Sequence, residues 1–528
     1  MHLKVGVHLP NGWQESIANR ARFILETSGK KSGNDLMWFD LVQEVSMQAN
    51  GSFYTWLALT GCYPDKFELK DFVSQITIHG LPQAIQNVLA NRSKVTETAR
   101  NLVAVELVSP KHPRIVDVTH TYSAPFLTGI QRVVFGVTDG PANVSTFIWV
   151  GDSGIIQEKN MRRAEAAESS PSVLGWRIRL VHYLHAQVPK LDKSRIGTQI
   201  RILSLPLART IKRWLVARDV DKQVKSNLDQ KWTNLLILNT SITIPEIPAS
   251  LKHIYAYESI LESEIVPVQI ILYDFIPFFH AWTVHYGNRG HLNSYIRLVL
   301  LATRIVSISS LVQEQAKLIT QAFRLERSEW SKRKQTFDYM TLPSGLKAAI
   351  TGEFEKQRNL VVMAGSLEPR KNHVQFLSAI ELLAKDGFRV KARILGSAGW
   401  ENEHILAKIH ELQSKGVDIE RLGNLSDTDM RALIAEAQVL LQISEAEGFG
   451  LPIAEALALG TKVIVSDIRP LNEWNHPRVS HVQIGDAEHL KIELAEVLNY
   501  PEKEGVITAE GITWNDWHHL LFGEKSSL

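Results

Sequence analysis

Two glutamates with seven residues between them frame a glycine-rich turn in the string SEAEGFGLPIAEALALG, Ser444 to Gly460. Glu447 should end a strand. Gly448-Phe449-Gly450 makes a tight turn, Pro452 suits a helix N1 position, and Glu455 falls in the first turn of the helix that follows. Glycines let backbone amides approach an anion closely, and a carboxylate at Glu455 could accept hydroxyls of a ribose. Two glutamates around a turn are common; the whole string EGFGLPxxE is much more specific. A second string, GSLEPRKN from Gly365 to Asn372, places Arg370 and Lys371 where a strand meets a helix. Cations beside free N–H groups at a helix start make a place for a phosphate or diphosphate. Alone, the pair fits a solvated Arg-Lys loop equally well. A third, RLGNLSD from Arg421, puts Gly423 at a strand end that could offer backbone groups to a base, or simply be a βα loop.

The elements that must position these residues alternate regularly. NLVVMAG (359–365), VKARILGS (390–397), VDIERLG (417–423), VLLQIS (439–444) and TKVIVSD (461–467) are buried-strand patterns. Between them lie amphipathic helices. One opens at Asn372, with Gln375 three residues later as in a capping box. Another covers 402–415, a third is capped by Ser426 or Asp427, and a fourth starts near Pro452. Gly387, Gly416 and Gly460 are their terminators. Alternation of this kind predicts a parallel, doubly wound α/β sheet, with ligands beyond the carboxyl ends of its strands. The rhythm recurs upstream in 113–120, 145–151, 235–241, 268–274 and 303–309, and Thr128 and Gln131 would cap a helix starting at Gly129.

These strings together resemble the donor-binding domain of retaining, family-four glycosyltransferases of the GT-B fold, in the order and spacing of that family. The resemblance implies two Rossmann-like domains facing a cleft, here with a mainly helical N-terminal extension. It implies that Arg370 and Lys371 hold a donor diphosphate and that Glu455 binds ribose hydroxyls. Glu447 would face the transferred sugar, with the amides of Phe449, Gly450 and Leu451 near phosphates or sugar hydroxyls. TGIQRV (128–133) resembles the family's Gly-rich entry to the first helix, where Gly129 would approach the donor phosphate. Asp274-Phe-Ile-Pro277 with His280 resembles the D-x-x-P-x-x-H segment of bacterial mannosyltransferase-like members, and makes Asp274 a second catalytic candidate beside Glu447. The alternative for Asp274 is a strand-end turn former, and His120 and His280 are taken as structural. Ser397 lacks the second glycine frequent in the family, and Thr461 replaces its usual small-Pro step.

The implied activity is transfer of a hexose from a nucleotide diphosphate sugar to a glycan or lipid-linked acceptor in surface polysaccharide synthesis. GDP-mannose is the first expectation for the donor, a UDP- or dTDP-sugar the second. A sugar-nucleotide epimerase, a phosphorylase, or a non-catalytic nucleotide-sugar-binding protein are the alternatives on the same fold. No cofactor and no metal are expected. Asp219-Val-Asp221 and Asp427-Thr-Asp429 spell the DxD metal signature of another fold, but the first lies in a basic helical stretch and the second at a helix N-cap.

Whole-chain properties agree with a globular enzyme. The 528 residues are 45% hydrophobic and 22% charged, with a formal net charge of only +2, so bulk charge gives no reason to expect a nucleic-acid partner. Cys62 is the single cysteine, which excludes an internal disulfide. With no apolar N-terminal h-region and no long apolar run, the expected location is cytoplasmic. The expected domains are 1–112, the helical extension; 113–345, acceptor-side, with a basic helical insertion at about 171–226; 346–510, donor-binding; and 511–528, a helix or tail. Residues 176–225 hold twelve Lys/Arg against three Asp, interleaved with apolar residues at three- and four-residue steps. This fits a basic amphipathic helix on the anionic inner face of a membrane, or equally an ordinary helix with a solvated basic face.

Overall fold

The computed structural model describes residues 12–30, 36–93, 107–108, 114–123, 129–139, 144–150, 154–158, 234–284 (except 236, 238–239 and 249), 295–326, 333–343, 355–500 (except 398, 401 and 424) and 513–523. The basic stretch 176–225, Asp219, Asp221 and Thr128 lie outside the described residues. The chain divides into two compact units, each assembled from separate stretches. The first comprises 1–128, 144–240 and 248–266; the second comprises 129–143, 241–247 and 267–528.

The first unit begins with the expected helices: Trp13–Thr27, Trp38–Ser46, Gly51–Thr60, Lys66–His79 and Leu81–Ser93. Ile17, Ile24, Leu41, Val45 and Leu57 are fully buried, so these helices close their own core. The fourth helix has a complete capping box: Asp65 accepts from the amides of Phe67 and Glu68, and Glu68 accepts from that of Asp65. Buried Arg20 donates to the carbonyls of Ala58 and Leu59 near the end of the third helix, satisfying acceptors with no intrahelical partner. Strands β1 (Leu107–Val108), β2 (Arg114–Asp117), β3 (Ser145–Val150), β4 (Gly154–Glu158) and β5 (Asn234–Leu235) stand in the order β1-β5-β4-β3-β2. The β3–β4 and β4–β5 pairs are antiparallel, a departure from a wholly parallel sheet that the sequence pattern did not signal.

The second unit holds β6 (Ser241–Ile244), β7 (Val268–Leu272), β8 (Arg304–Ser307) and β9 (Thr336–Tyr339), side by side and parallel. The strand expected at 235–241 is therefore displaced: its parallel pairing starts at Ser241, where Ile242 and Ile244 are buried. The same unit carries a six-stranded, wholly parallel sheet in the order β12-β11-β10-β13-β14-β15. These strands are β10 (Leu360–Ala364), β11 (Lys391–Leu395), β12 (Asp418–Leu422), β13 (Val439–Gln442), β14 (Lys462–Ser466) and β15 (Val479–Val482). Its two faces bury different helices. Phe376, Leu377, Ile380, Ile405 and Ile409 pack on one side; Ile434, Ile453 and Ala456 pack on the other. The chain is thus α/β and doubly wound where the alternating pattern predicts it, with the strand order reversing between β10 and β13. Helix Trp514–Phe522 packs back within this unit: Trp517 donates to the Thr341 carbonyl, and Arg304 donates to that of Leu520.

Candidate functional site

The carboxyl ends of β10 and β11 lie close enough to exclude a side chain at Gly396, and the β12 end comes within ordinary contact of it. A Cβ on Gly396 would stand 2.1 Å from the Gly365 carbonyl oxygen, and one on Gly423 would lie 3.6 Å from that of Gly396. Gly365 has φ +142°, and Lys371 folds over it, its Cδ 3.1 Å from where a Cβ would be. Arg370 and Lys371 sit in a one-turn 3-10 helix, Pro369–Lys371, just ahead of helix His373–Lys385. The capping box expected there does not form. Asn372 is left-handed (φ 59°), and its amide donates to Gln375 instead of capping the helix.

Strand β13 stops at Gln442, five residues before Glu447, so Glu447 stands in a loop rather than ending the strand. That loop is fastened to the Arg370 turn. Glu445 N–H donates to the Arg370 carbonyl at 2.7 Å, and Arg370 Nη1 donates to the Ala446 carbonyl at 3.3 Å. Glu447 Oε1 accepts from Lys371 Nζ, from Gln442 Nε2 at 2.7 Å and from Ser444 Oγ at 2.7 Å. Arg370 Nη1 is 3.6 Å from the same oxygen. Burial alone would raise the Glu447 carboxyl; the Lys371 and Arg370 charges reverse this and hold it at about 2. For Lys371, burial pushes the ammonium down, with Glu447 opposing.

Gly448 brings this loop against the end of β7. A Cβ there would fall 2.1 Å from the Tyr273 carbonyl oxygen and 3.2 Å from the Asp274 Cβ, and Ser309 donates to the Gly448 carbonyl at 2.7 Å. Asp274 therefore joins the cluster. Burial raises its carboxyl above the ordinary value; the Ile276 amide and Arg370 oppose the rise, and Glu447 adds to it. Phe449 packs its ring on Trp474, whose Nε1 donates to the Phe449 carbonyl. Gly450 has φ +95° and begins helix Leu451–Ala458. Among the described residues, the amides of Phe449, Gly450 and Leu451 donate no hydrogen bond, which leaves three N–H groups at a helix start.

Glu455 lies in the second turn of that helix, not the first, and is buried. Its Oε1 accepts from Arg132 Nη1 at 2.7 Å. Arg132 belongs to helix Gly129–Thr138, which places Gly129 3.7 Å from Leu451 by its Cβ position. Arg132 thus joins the site, although in the sequence its string points to a capping box at Thr128 and Gln131 and to Gly129, and assigns Arg132 no role. The structure brings Asp274, Arg370, Lys371, Glu447 and Gly448 into one cluster, and Glu455, Gly129 and Leu451 beside it. Gly423 stays at the β12 end. Ser426, not Asp427, caps its helix, accepting from the Asp429 amide. Among the described residues no group of three or more His, Cys, Asp or Glu could hold a metal. Gln442 and Ser444 also reach the cluster; Ser444 opens the Ser444–Gly460 string, and Gln442 is marked in the sequence only as a polar residue ending an apolar strand.

The six-stranded sheet is wholly parallel, with cations and carboxylates gathered beyond its strand ends, as in doubly wound α/β folds. Residues 349–514 match the family described as "Glycosyl transferases group 1". The serotype-specific mannosyltransferase WbdA of Escherichia coli is 28% identical over 229 residues, covering 41% of this chain and 28% of the relative. The O-antigen chain mannosyltransferase B of Escherichia coli is 30% identical over 149 residues, covering 28% of this chain and 39% of the relative. The chain thus spans well under half the length of these curated relatives. A sucrose-phosphate synthase from Thermosynechococcus elongatus aligns in structure over 74% of this chain and 90% of its own, with TM-score 0.45 and 13% identity.

Proposed function

We propose that the protein is a retaining hexosyltransferase, with GDP-mannose as donor and a glycan or lipid-linked saccharide as acceptor. The observation that carries this is the meeting of Arg370, Lys371 and an ionised Glu447 beside the unbonded amides of 449–451. Charge builds on the leaving diphosphate as the C1–O bond breaks, and the sugar becomes oxocarbenium-like. Cations and amides already fixed in place stabilise that charge without reorganising. The Glu447 carboxylate, ionised across the working pH range, is an acceptor for a sugar hydroxyl. Glu455 is the acceptor for ribose hydroxyls, with Arg132 orienting it. Similarity to bacterial mannosyltransferases supports mannose as the hexose. The basic stretch 176–225 supports a cytoplasmic protein held peripherally on an anionic leaflet, where a lipid-linked acceptor would be met.

Calorimetric titration against GDP-mannose, UDP-glucose, UDP-GlcNAc and dTDP-rhamnose, followed by transfer from the radiolabelled donor that binds, tests this. Selective binding of GDP-mannose and acceptor-dependent transfer are expected. Isomerisation of the donor without an acceptor would make the protein an epimerase. Phosphate-dependent cleavage of a glycan would make it a phosphorylase, and binding without turnover a non-catalytic module.

A further inference from the structure

Gln442 ends β13, a strand whose other residues are Val439, Leu440 and Leu441, and it is 1% exposed. Its neighbour in register on β14 is Val465. Packing alone would favour an apolar side chain here. The amide instead leaves its Oε1 buried without a hydrogen-bond partner, which costs free energy. Its Nε2 donates to Glu447 Oε1 at 2.7 Å and to Ser444 Oγ at 3.2 Å. The opposite amide orientation would set a carbonyl oxygen against the carboxylate, so the ionised Glu447 fixes which end of the amide faces it.

Three donors, Lys371, Gln442 and Ser444, converge on Oε1 of Glu447, and none of them engages Oε2. Any turn of the carboxylate short of the half-turn that exchanges its two equivalent oxygens would break all three bonds. We infer that Gln442 is a positioning residue: with Ser444 it locks Oε1 inward and presents Oε2 to a hydroxyl of the transferred hexose. This rests on the glycosyltransferase reading above and adds to it a residue acting only on the sugar half of the donor. Gln442 then contributes to sugar placement and to the rate, but not to holding the nucleoside diphosphate.

The test is Gln442→Met, which keeps an unbranched side chain of similar size and removes the donor. Titrations of the full chain with the nucleoside diphosphate and with the intact sugar nucleotide are compared, and turnover is measured. The variant is expected to bind the nucleoside diphosphate within about twofold of wild type. Sugar-nucleotide affinity and kcat should each fall about tenfold or more, as for loss of a hydrogen bond to a charged group. In a Glu447→Ala background the same change should add nothing, because Gln442 acts through Glu447. Wild-type sugar-nucleotide affinity and turnover in Gln442→Met would overturn the inference. So would an equal loss of nucleoside diphosphate binding, which would mean that the strand end as a whole had shifted. A wild-type protein that binds the nucleoside diphosphate but processes no sugar nucleotide would instead sink the glycosyltransferase reading itself.

Discussion

Arg132 Nη1 stands 2.7 Å from Glu455 Oε1 across 323 positions of chain, and both side chains are buried or nearly so. Breaking a buried pair leaves a charge without its partner, which typically costs about 3–5 kcal/mol. Arg132→Ala is therefore expected to lower stability and weaken nucleotide binding, while Arg132→Lys recovers part of both. The double variant Arg132→Ala/Glu455→Ala should be less destabilised than the two single changes summed, with a coupling of about 0.5–3 kcal/mol. Chemical denaturation of the four proteins measures this; strict additivity would mean the pair is not coupled.

Arg370→Ala and Lys371→Ala should each weaken sugar-nucleotide binding, by about 1.5–3 kcal/mol for a charge-assisted contact. Lys371→Ala should do more harm to turnover, since it also frees Oε1 of Glu447 from one of its donors. Arg370→Ala removes the tie to the Ala446 carbonyl and so loosens the loop. Isothermal titration and initial rates separate the two effects. Unchanged affinity in both variants would put the phosphates elsewhere.

The six-stranded sheet was legible because its strands are short, mostly buried apolar runs, and its helices carry one apolar face. Val439–Gln442 and Lys462–Ser466 sit where VLLQIS and TKVIVSD place them. The strand Ser241–Ile244 was misplaced because LLILNTS upstream is equally apolar; pairing with β7, not local composition, decides which segment forms that strand. Strand β4 pairs antiparallel within the first unit, and nothing in its five residues announces direction. Among the site residues, Arg370, Lys371, Glu447 and Glu455 were visible because they lie in strings with a local turn or helix start. Arg132 and Gln442 were not. Their roles come from partners that only folding supplies: Glu455 for the first, and for the second the return of the loop onto its own strand.

Gly448→Ala tests whether the loop must touch the end of β7. Its Cβ would meet backbone, the Tyr273 carbonyl oxygen at 2.1 Å, so a side-chain rotation cannot relieve the clash. Overpacking of this kind costs about 1–3 kcal/mol. Transfer is expected to fall further than stability does, because the displaced loop carries Glu447 away from Lys371. A thermal melt and a rate assay on the same preparation check it, and full activity would show that the contact is dispensable.

Flotation with vesicles containing anionic lipid tests peripheral binding by the basic stretch. Binding is expected at low salt and release at high salt, because exposed charges are screened over about 10 Å at 0.1 M. Replacing Lys212, Arg213 and Arg218 with Glu should abolish it. Protein that remains unbound at low salt would rule out 176–225 as a membrane contact.

The acid limb of activity should belong to Asp274 and not to Glu447. Glu447 is held at about 2, against an ordinary 4.5, so it stays ionised through any practical assay range. The stability it contributes is present above the ordinary value and is lost only as pH falls toward 2. Asp274 is shifted the other way, upward from 3.8, so it takes up its proton first as pH falls. Its sign is also opposite for stability. A carboxyl raised on folding favours the folded state below its ordinary pKa, and that contribution is lost as pH rises through the raised value. Asp274→Asn should accordingly raise stability at neutral pH while lowering kcat, and it should remove the acid limb of kcat/KM. Because the Glu447 charge helps to raise Asp274, Glu447→Gln should lower the plateau and move the remaining limb to lower pH. A limb that persists unchanged in Asp274→Asn would assign the titrating group elsewhere and take Asp274 out of the mechanism.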